Sequence, residues 1–218
     1  MSLAYSHEDH AGRARLSNLG DALERIGLRM AFAKDEEIYA QDEEVEFIYR
    51  VVSGSVRTTR LMSDGRRQIG EFYYPGDIFG LEPGPDHRFS AEALCDCVVL
   101  VLKRTALQAA GADADLQAAI MAAMSLELER AQEHVLLLGR KTACERVASF
   151  MADLAVRGGA GGVFDLPMSR QDIADYLGLT IETVSRMLSQ LQNNAVLEIA
   201  GCRHVTVKNP AALARLAQ

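Results

Sequence analysis

Ser169-Arg-Gln-Asp-Ile-Ala-Asp-Tyr-Leu-Gly-Leu-Thr-Ile-Glu-Thr-Val-Ser-Arg186 is the stretch on which the reading of this chain turns. Ser169 is a good N-cap, and Asp172, three residues on, can complete a capping box. Ile173, Tyr176 and Leu177 recur at i, i+3 and i+4, so they share one helix face. Gly178 can take the left-handed conformation that ends this helix. Thr180 then caps a second helix whose buried side is Val184, Leu188 and Leu191. Ala174 is small where the second helix must cross closely. A small residue, a turn glycine and an apolar anchor at this spacing predict a helix-turn-helix.

On the second helix Glu182 and Arg186 lie four apart, with Ser185 beside them. A carboxylate can accept from the cytosine amino group, and a guanidinium can fork onto guanine O6 and N7. These three are the candidate base-reading residues. The alternative is an i, i+4 salt bridge on a solvated face. Ser169, Arg170, Gln171, Thr180 and Thr183 sit at or near helix N-termini, where side chains and free N–H groups can hold phosphates. Downstream, Ala195–Val207 reads as two strands around a turn near Gly201, a wing with Arg203 at its tip as a further phosphate contact. Val163–Leu166 supplies another short strand. The region from about Thr142 to the end is a winged helix-turn-helix.

With 218 residues the chain can hold two modest domains with their own cores. Its net charge of −7 is unevenly placed. Residues 1–139 hold 14 basic and 23 acidic side chains, net −9, whereas residues 140–218 hold 9 and 7, net +2. The acidic excess thus lies outside the DNA-binding part, which relies on a few placed cations rather than a broad basic field. No apolar run has the length of a membrane span, and the first residues lack the layout of a secretory signal, so the expected location is the cytoplasm, with no membrane partner.

From Phe32 to about Lys103 short strands are punctuated by glycines: Phe47–Val52, Ser55–Leu61, Arg67–Phe72, Pro75–Gly80 and Phe89–Val101. Turn signals about every ten residues predict an antiparallel sandwich or barrel. A helix over Leu16–Leu28 is expected before it. Residues 113–139 form a long helix by period, with Met121, Met124, Leu128, Ala131, Val135 and Leu138 on an a/d seam. Leu116, Ile120 and Leu137 lie off the seam and face the β domain. Two-fold pairing along this seam would place two reading helices one DNA turn apart, which predicts a homodimer. The alternative is a helix packed wholly inside its own subunit. The expected organisation is therefore α+β: residues 1–112 an N-terminal β-roll with an early helix, 113–139 a dimerisation helix, and 140–218 the winged helix-turn-helix.

This order of parts resembles the family of the cyclic AMP receptor protein and the fumarate-nitrate reduction regulator. The resemblance rests on Val52-Ser-Gly-Ser-Val56, Pro75-Gly-Asp-Ile-Phe-Gly80 and Glu182-Thr-Val-Ser-Arg186. Leu61-Met-Ser-Asp-Gly-Arg-Arg-Gln68, Ala91-Glu-Ala93 and Leu166–Arg186 make it most similar to the FixK branch. The resemblance implies a roll like the cyclic-nucleotide-binding jelly roll and sites of the form TTGAT-N4-ATCAA read by Glu182, Ser185 and Arg186. It also implies recruitment of RNA polymerase and control of low-oxygen respiration or nitrogen-fixation genes. Ile181 stands where the cyclic AMP receptor protein has an arginine, which favours the TTGAT-type half-site. By the same resemblance, Ser63–Arg67 and Arg157–Gly162 are candidate polymerase-contact loops.

Departures from the family bear on the effector. Nucleotide-binding members place a Glu directly after the glycine matching Gly80 and an Arg-Ser pair further on; here stand Leu81 and Phe89-Ser90. A buried cyclic phosphate without an arginine would be an unpaired charge. Arg88 and Glu82 are each one place off. The family's iron–sulfur members use N-terminal cysteines, and this chain has none before Cys95. For haem, His87 reads as a surface residue, while His7, His10 and His134 are no better placed. No cofactor or metal is expected. The expectation is a regulator active without an effector, its roll filled by side chains such as Phe79, Leu81 and Phe89. The alternative is a ligand-gated member binding an unidentified small molecule in the roll.

Four cysteines are present, and in a cytosolic chain disulfides are not expected. Cys95 and Cys97 lie in a stretch that alternates like a strand and would share one face. They read as small strand residues, the other reading being a metal or redox pair. Cys202 in the wing, beside Arg203, is a candidate redox position whose oxidation would add polarity or negative charge near phosphate. A cupin-like enzyme would need several histidines on the strands. His87 is the only one between residues 11 and 133, so catalysis is not expected.

Overall fold

Between residues 28 and 103 the apolar side chains alternate along the chain, as strands with two differently occupied faces require. In the computed structural model, which describes residues 20, 24, 27–109, 114–158 and 161–218, this stretch forms eight strands. They are β1 (Leu28–Phe32), β2 (Glu37–Tyr39), β3 (Phe47–Ser53), β4 (Val56–Leu61), β5 (Arg67–Tyr73), β6 (Ile78–Phe79), β7 (Ser90–Ala93) and β8 (Cys97–Lys103). The expected helix over Leu16–Leu28 falls largely outside the described residues, and Leu28 itself opens β1.

The strands form two antiparallel sheets, ordered β1-β8-β3-β6 and β2-β7-β4-β5. Tyr49 and Val51 of β3 and Val99 and Val101 of β8 point into the space between sheets, where they meet Tyr39, Val56, Tyr73, Phe79, Ala91 and Ala93. Their neighbours in sequence, Ile48, Leu100 and Leu102, point the other way. That second face packs against Ala119, Ile120, Ala123 and Met124 of a long helix. Two alanines four apart keep this side of the helix thin enough for close approach. Gly80 shows how tight the roll is. Its φ is +76°, and a Cβ there would lie 2.8 Å from Cδ2 of Tyr49.

Two expectations for this region need correction. Phe89–Val101 is not one strand. It breaks at Leu94–Asp96 into β7 and β8, which belong to different sheets. Distant backbone groups hold the turn: Lys34 N donates to Asp96 Oδ1 at 3.0 Å, and Asp35 N to Ala93 O at 2.8 Å. Cys95 therefore sits in the turn and Cys97 opens β8, so they do not alternate along one strand face. Burial pushes the Cys97 thiol up to about 11. Nor is His87 a surface residue. It is buried, stacked on Tyr39 with centroids 3.6 Å apart, and its Nδ1 lies 3.3 Å from Glu82 Oε1.

The helices are α1 (Arg104–Ala109), α2 (Ala114–Arg140), α3 (Ala143–Arg157), α4 (Arg170–Leu177), α5 (Ile181–Asn193) and α6 (Pro210–Leu216). Strands β9 (Val163–Asp165), β11 (His204–Val207) and β10 (Leu197–Ala200) form a third sheet in the order β10-β11-β9. The chain divides into two compact units. One holds the described residues up to Arg60 with Gly70–Ala131, the other Leu61–Ile69 with Gln132–Gln218.

In the second unit Arg146 of α3 holds three carbonyls. Its Nη2 donates to Leu138 O at 2.7 Å, Nε to Lys141 O at 2.9 Å and Nη1 to Leu177 O at 3.0 Å. These lie at the C-terminal ends of α2 and α4, where carbonyls lack helical partners. His134 stacks on Tyr176 and its Nε2 donates to Tyr176 O at 2.8 Å. Lys141 donates to Ser149 Oγ at 2.8 Å and to Ala217 O, tying α3 to the end of α6.

Arg146→Met should lower the stability of the second unit by about 2–4 kcal/mol, since it leaves three carbonyls without a charged donor. Chemical denaturation followed by circular dichroism measures this, and a loss below about 0.5 kcal/mol would contradict the assigned role. Burial pulls the His134 imidazole below its ordinary 6.5, partly opposed by its bond to Tyr176 O. The unfolded chain then binds a proton that the folded chain resists. The His134 contribution is complete above pH 6.5 and declines as pH falls from there towards the lowered folded value. Between about pH 7.5 and 5.5 the parent should lose more melting temperature than His134→Phe. Parallel curves for the two proteins would contradict this.

Candidate nucleic-acid interface

Local chemistry builds the reading head. Ser169, in extended backbone, caps α4 by accepting from Asp172 N, and the Asp172 carboxylate returns the bond to Ser169 N at 2.9 Å. Gly178 ends α4 in the left-handed region, with φ 61°, and its N–H donates to Ala174 O. Thr180 caps α5 by accepting from Thr183 N at 3.3 Å. Ile173, Ala174 and Leu177 of α4 and Val184, Leu188 and Leu191 of α5 are all buried. With one side of α5 consumed by packing, its opposite side carries the exposed Glu182, Ser185 and Arg186.

Glu182 and Arg186 make no ion pair among the described residues, so the salt-bridge alternative is not what the structure adopts. The carboxyl of Glu182 is held below the usual carboxylate range by its own backbone N–H and by the Thr180 hydroxyl, which keeps it an acceptor. Among the described residues Arg186 has no side-chain hydrogen-bond or ion-pair partner.

The phosphate-facing candidates differ in what they offer. Gln171 and Thr180 are exposed and Thr183 half-buried at the helix starts. Gln171 spends one Nε2 hydrogen on Asp175 Oδ1 at 2.7 Å. Both donors of Ser169, its N–H and its hydroxyl, are taken by Asp172 Oδ2. Arg170 is half-buried, and its Nη1 has no hydrogen-bond partner among the described residues. Burial draws this guanidinium down from its ordinary value, partly offset by Cys202. Arg203 and Cys202 are exposed in the turn between β10 and β11, where Gly201 has φ 62°.

Along α2, Met121, Leu128, Ala131 and Val135 are exposed, with Leu128 at 60% and Val135 at 70%. Leu136, absent from the expected seam, is exposed as well. Met124 instead leans on the roll core beside Ile120, and Leu138 is half-buried against Gly178. The side chain of Leu116 lies outside the described residues.

The residues that sequence reasoning passed over are Arg67, Asp175 and Arg146, together with the second bond made by Asp172. Arg67 Nη2 lies 2.6 Å from Asp172 Oδ1, and its Nε donates to Asp175 Oδ2 at 2.8 Å. A signal did exist: two carboxylates three apart on a helix whose start is a candidate phosphate contact call for a nearby cation. Which cation answers could not be read, because 105 residues separate Arg67 from Asp172.

Residues 145–216 match the Crp-like helix-turn-helix domain, and residues 29–113 match the cyclic nucleotide-binding domain. The chain is similar to the nitrogen fixation regulation protein FixK of Azorhizobium caulinodans, 50% identical over 197 residues, which is 88% of this chain and 79% of that protein. It is 43% identical over 180 residues to the FixK of Rhizobium meliloti, covering 83% of this chain and 82% of that one. The solved structure of FixK2 from Bradyrhizobium japonicum superposes with a TM-score of 0.85 at 49% identity, covering 88% of this chain and 98% of that chain. These relatives are transcription regulators and not enzymes. The chain thus belongs to the CRP/FNR family of transcription regulators, in its FixK-like branch.

Proposed function

We propose that this protein is a homodimeric activator that binds TTGAT-N4-ATCAA-type palindromes and serves low-oxygen or nitrogen-fixation genes without a small-molecule effector. The observation that carries this reading is the exposed Glu182–Ser185–Arg186 face of α5, with no ion pair between Glu182 and Arg186 among the described residues, backed by the buried Val184, Leu188 and Leu191. Glu182 and Arg186 are the acceptor and the fork that edge recognition of G·C pairs requires. Arg170, Gln171, Thr180, Thr183 and Arg203 supply the phosphate contacts, with Ser169 contributing through the cap it forms. The exposed apolar stripe Met121–Leu128–Val135 is the pairing surface, repeating every seven residues. The regulator acts in the cytoplasm on double-stranded DNA and through RNA polymerase; no helix among the described residues is long and apolar enough to cross a membrane.

Independence from an effector is supported by the roll interior. Phe79 is buried between the two sheets, whereas Leu81, expected to fill the roll, packs instead in the cluster against α2; Phe89 packs over Gly70, and Arg88 is exposed. One observation favours the ligand-gated alternative. Glu82 Oε2 is buried with no hydrogen-bond partner among the described residues, an atom that a bound donor would satisfy.

Fluorescence anisotropy of the reduced protein with nothing added should show tight binding to a TTGAT-N4-ATCAA duplex and weak binding to a scrambled one. Absence of selectivity would favour the ligand-gated alternative. Arg186→Ala should cost about 1–3 kcal/mol on the palindrome and little on the scrambled duplex. An equal loss on both would make Arg186 a phosphate contact instead. Leu128→Glu combined with Val135→Glu should yield monomers by sedimentation; a persisting dimer would place the interface elsewhere.

A further inference from the structure

The two carboxylates on α4 each divide their oxygens between Arg67 and a residue at the phosphate-facing end. Asp175 takes Arg67 Nε on Oδ2 at 2.8 Å and Gln171 Nε2 on Oδ1 at 2.7 Å. Asp172 takes Arg67 Nη2 on Oδ1 at 2.6 Å, and the N–H and hydroxyl of the N-cap Ser169 on Oδ2 at 2.9 and 2.7 Å. We infer that Arg67 is a positioning residue for DNA binding, acting through Asp172 and Asp175 to set the cap of α4 and the side chain of Gln171 for phosphate. The inference rests on the reading of this helix end as phosphate-facing.

The geometry is that of a built relay rather than a surface pair. The Asp172 side chain is 4% exposed and Asp175 13%, while Arg67 is 30% exposed. Salt bridges of this burial resist screening and hold their partners in register. Arg67 belongs to the same compact unit as α4, although it lies on the hairpin between β4 and β5. The hairpin is closed by Met62 N donating to Arg66 O at 2.8 Å.

Two consequences follow for phosphate binding. The first N–H groups of α4, those of residues 170 and 171, have no helical acceptor and point where an anion can sit. Their position depends on the cap, and the cap depends on Asp172. Second, without Arg67 the carboxylates of Asp172 and Asp175 would stand within one turn of that site lacking this cation and repel the backbone of DNA more strongly. Arg67 thus raises affinity without touching the nucleic acid. It acts on the sequence-independent part of binding and leaves base reading by α5 alone.

The test uses the full chain and fluorescence anisotropy over a salt series, on the palindromic and scrambled duplexes. Arg67→Ala should weaken both complexes by about tenfold, keep their ratio, and leave the slope of log K on log salt unchanged, since Arg67 neutralises no phosphate itself. A slope reduced by about one phosphate contact would make Arg67 a direct contact and overturn the relay. Arg67→Lys should recover most of the loss, because one ammonium can still bridge the carboxylates. Arg66→Ala removes the same charge one residue away, from a side chain that is 81% exposed and paired with Asp64, and should change nothing. An equal loss in Arg66→Ala would overturn the relay in favour of general charge. So would parental affinity in an Arg67→Ala protein that still melts cooperatively. If Arg67→Ala does not fold, Arg67→Gln replaces it, with the same expected loss and the same overturning result. Gln171→Ala separates the relay from the phosphate contact it serves. A loss there with none in Arg67→Ala overturns the relay alone, whereas no loss in Gln171→Ala overturns the phosphate-facing reading itself.

Discussion

A single guanidinium, that of Arg146, joins the end of α2 to the end of α4. The last carbonyls of any helix lack intrahelical donors, and here Leu138 O, Lys141 O and Leu177 O are all satisfied by one planar, always-charged fork. The cation also faces the negative ends of two helix dipoles, an arrangement that favours it further. Because α4 is held there and α5 packs on α4 across Gly178, the direction of the reading helix is inherited from this contact. His134 on Tyr176 and Lys141 on Ser149 and Ala217 brace the same junction from either side.

The charge distribution explains how a chain of net −7 can present a DNA-binding face. The C-terminal 79 residues carry only a slight basic excess, so placement substitutes for quantity. Among the described residues Arg186 is unpaired on the outer face of α5, and Arg170 keeps one buried nitrogen without a partner. The acids of α4, which would otherwise spoil the site, are countered by Arg67.

What the sequence made legible was whatever depends on near neighbours along the chain. Ser169, Gly178 and Thr180 act within four residues of their partners, and the wing turn near Gly201 and the extent of α2 follow from local pattern. The alternation of Ile48, Tyr49 and Val51 similarly announces two faces. What stayed hidden depends on distant groups. The break at Leu94–Asp96 is imposed by Lys34 and Asp35, some sixty residues earlier. His87 is buried because Tyr39 stacks on it, and no local feature of a Gly-Pro-Asp-His loop says so. Met124 satisfies the heptad period yet leans on the roll, since the period alone does not say which of two apolar surfaces a helix residue meets.

Asp172 is a buried carboxylate with two obligations, one to its own helix cap and one to a hairpin far away in sequence. In evolutionary terms the two positions cannot drift independently. Loss of Arg67 first would take from buried Asp172 the cation of the hairpin, whereas loss of Asp172 first would open the cap of α4. Lineages should therefore cross between alternatives at residues 67, 172 and 175 in concert or not at all. The reading head and the hairpin, separate in sequence, would then carry a shared substitution history.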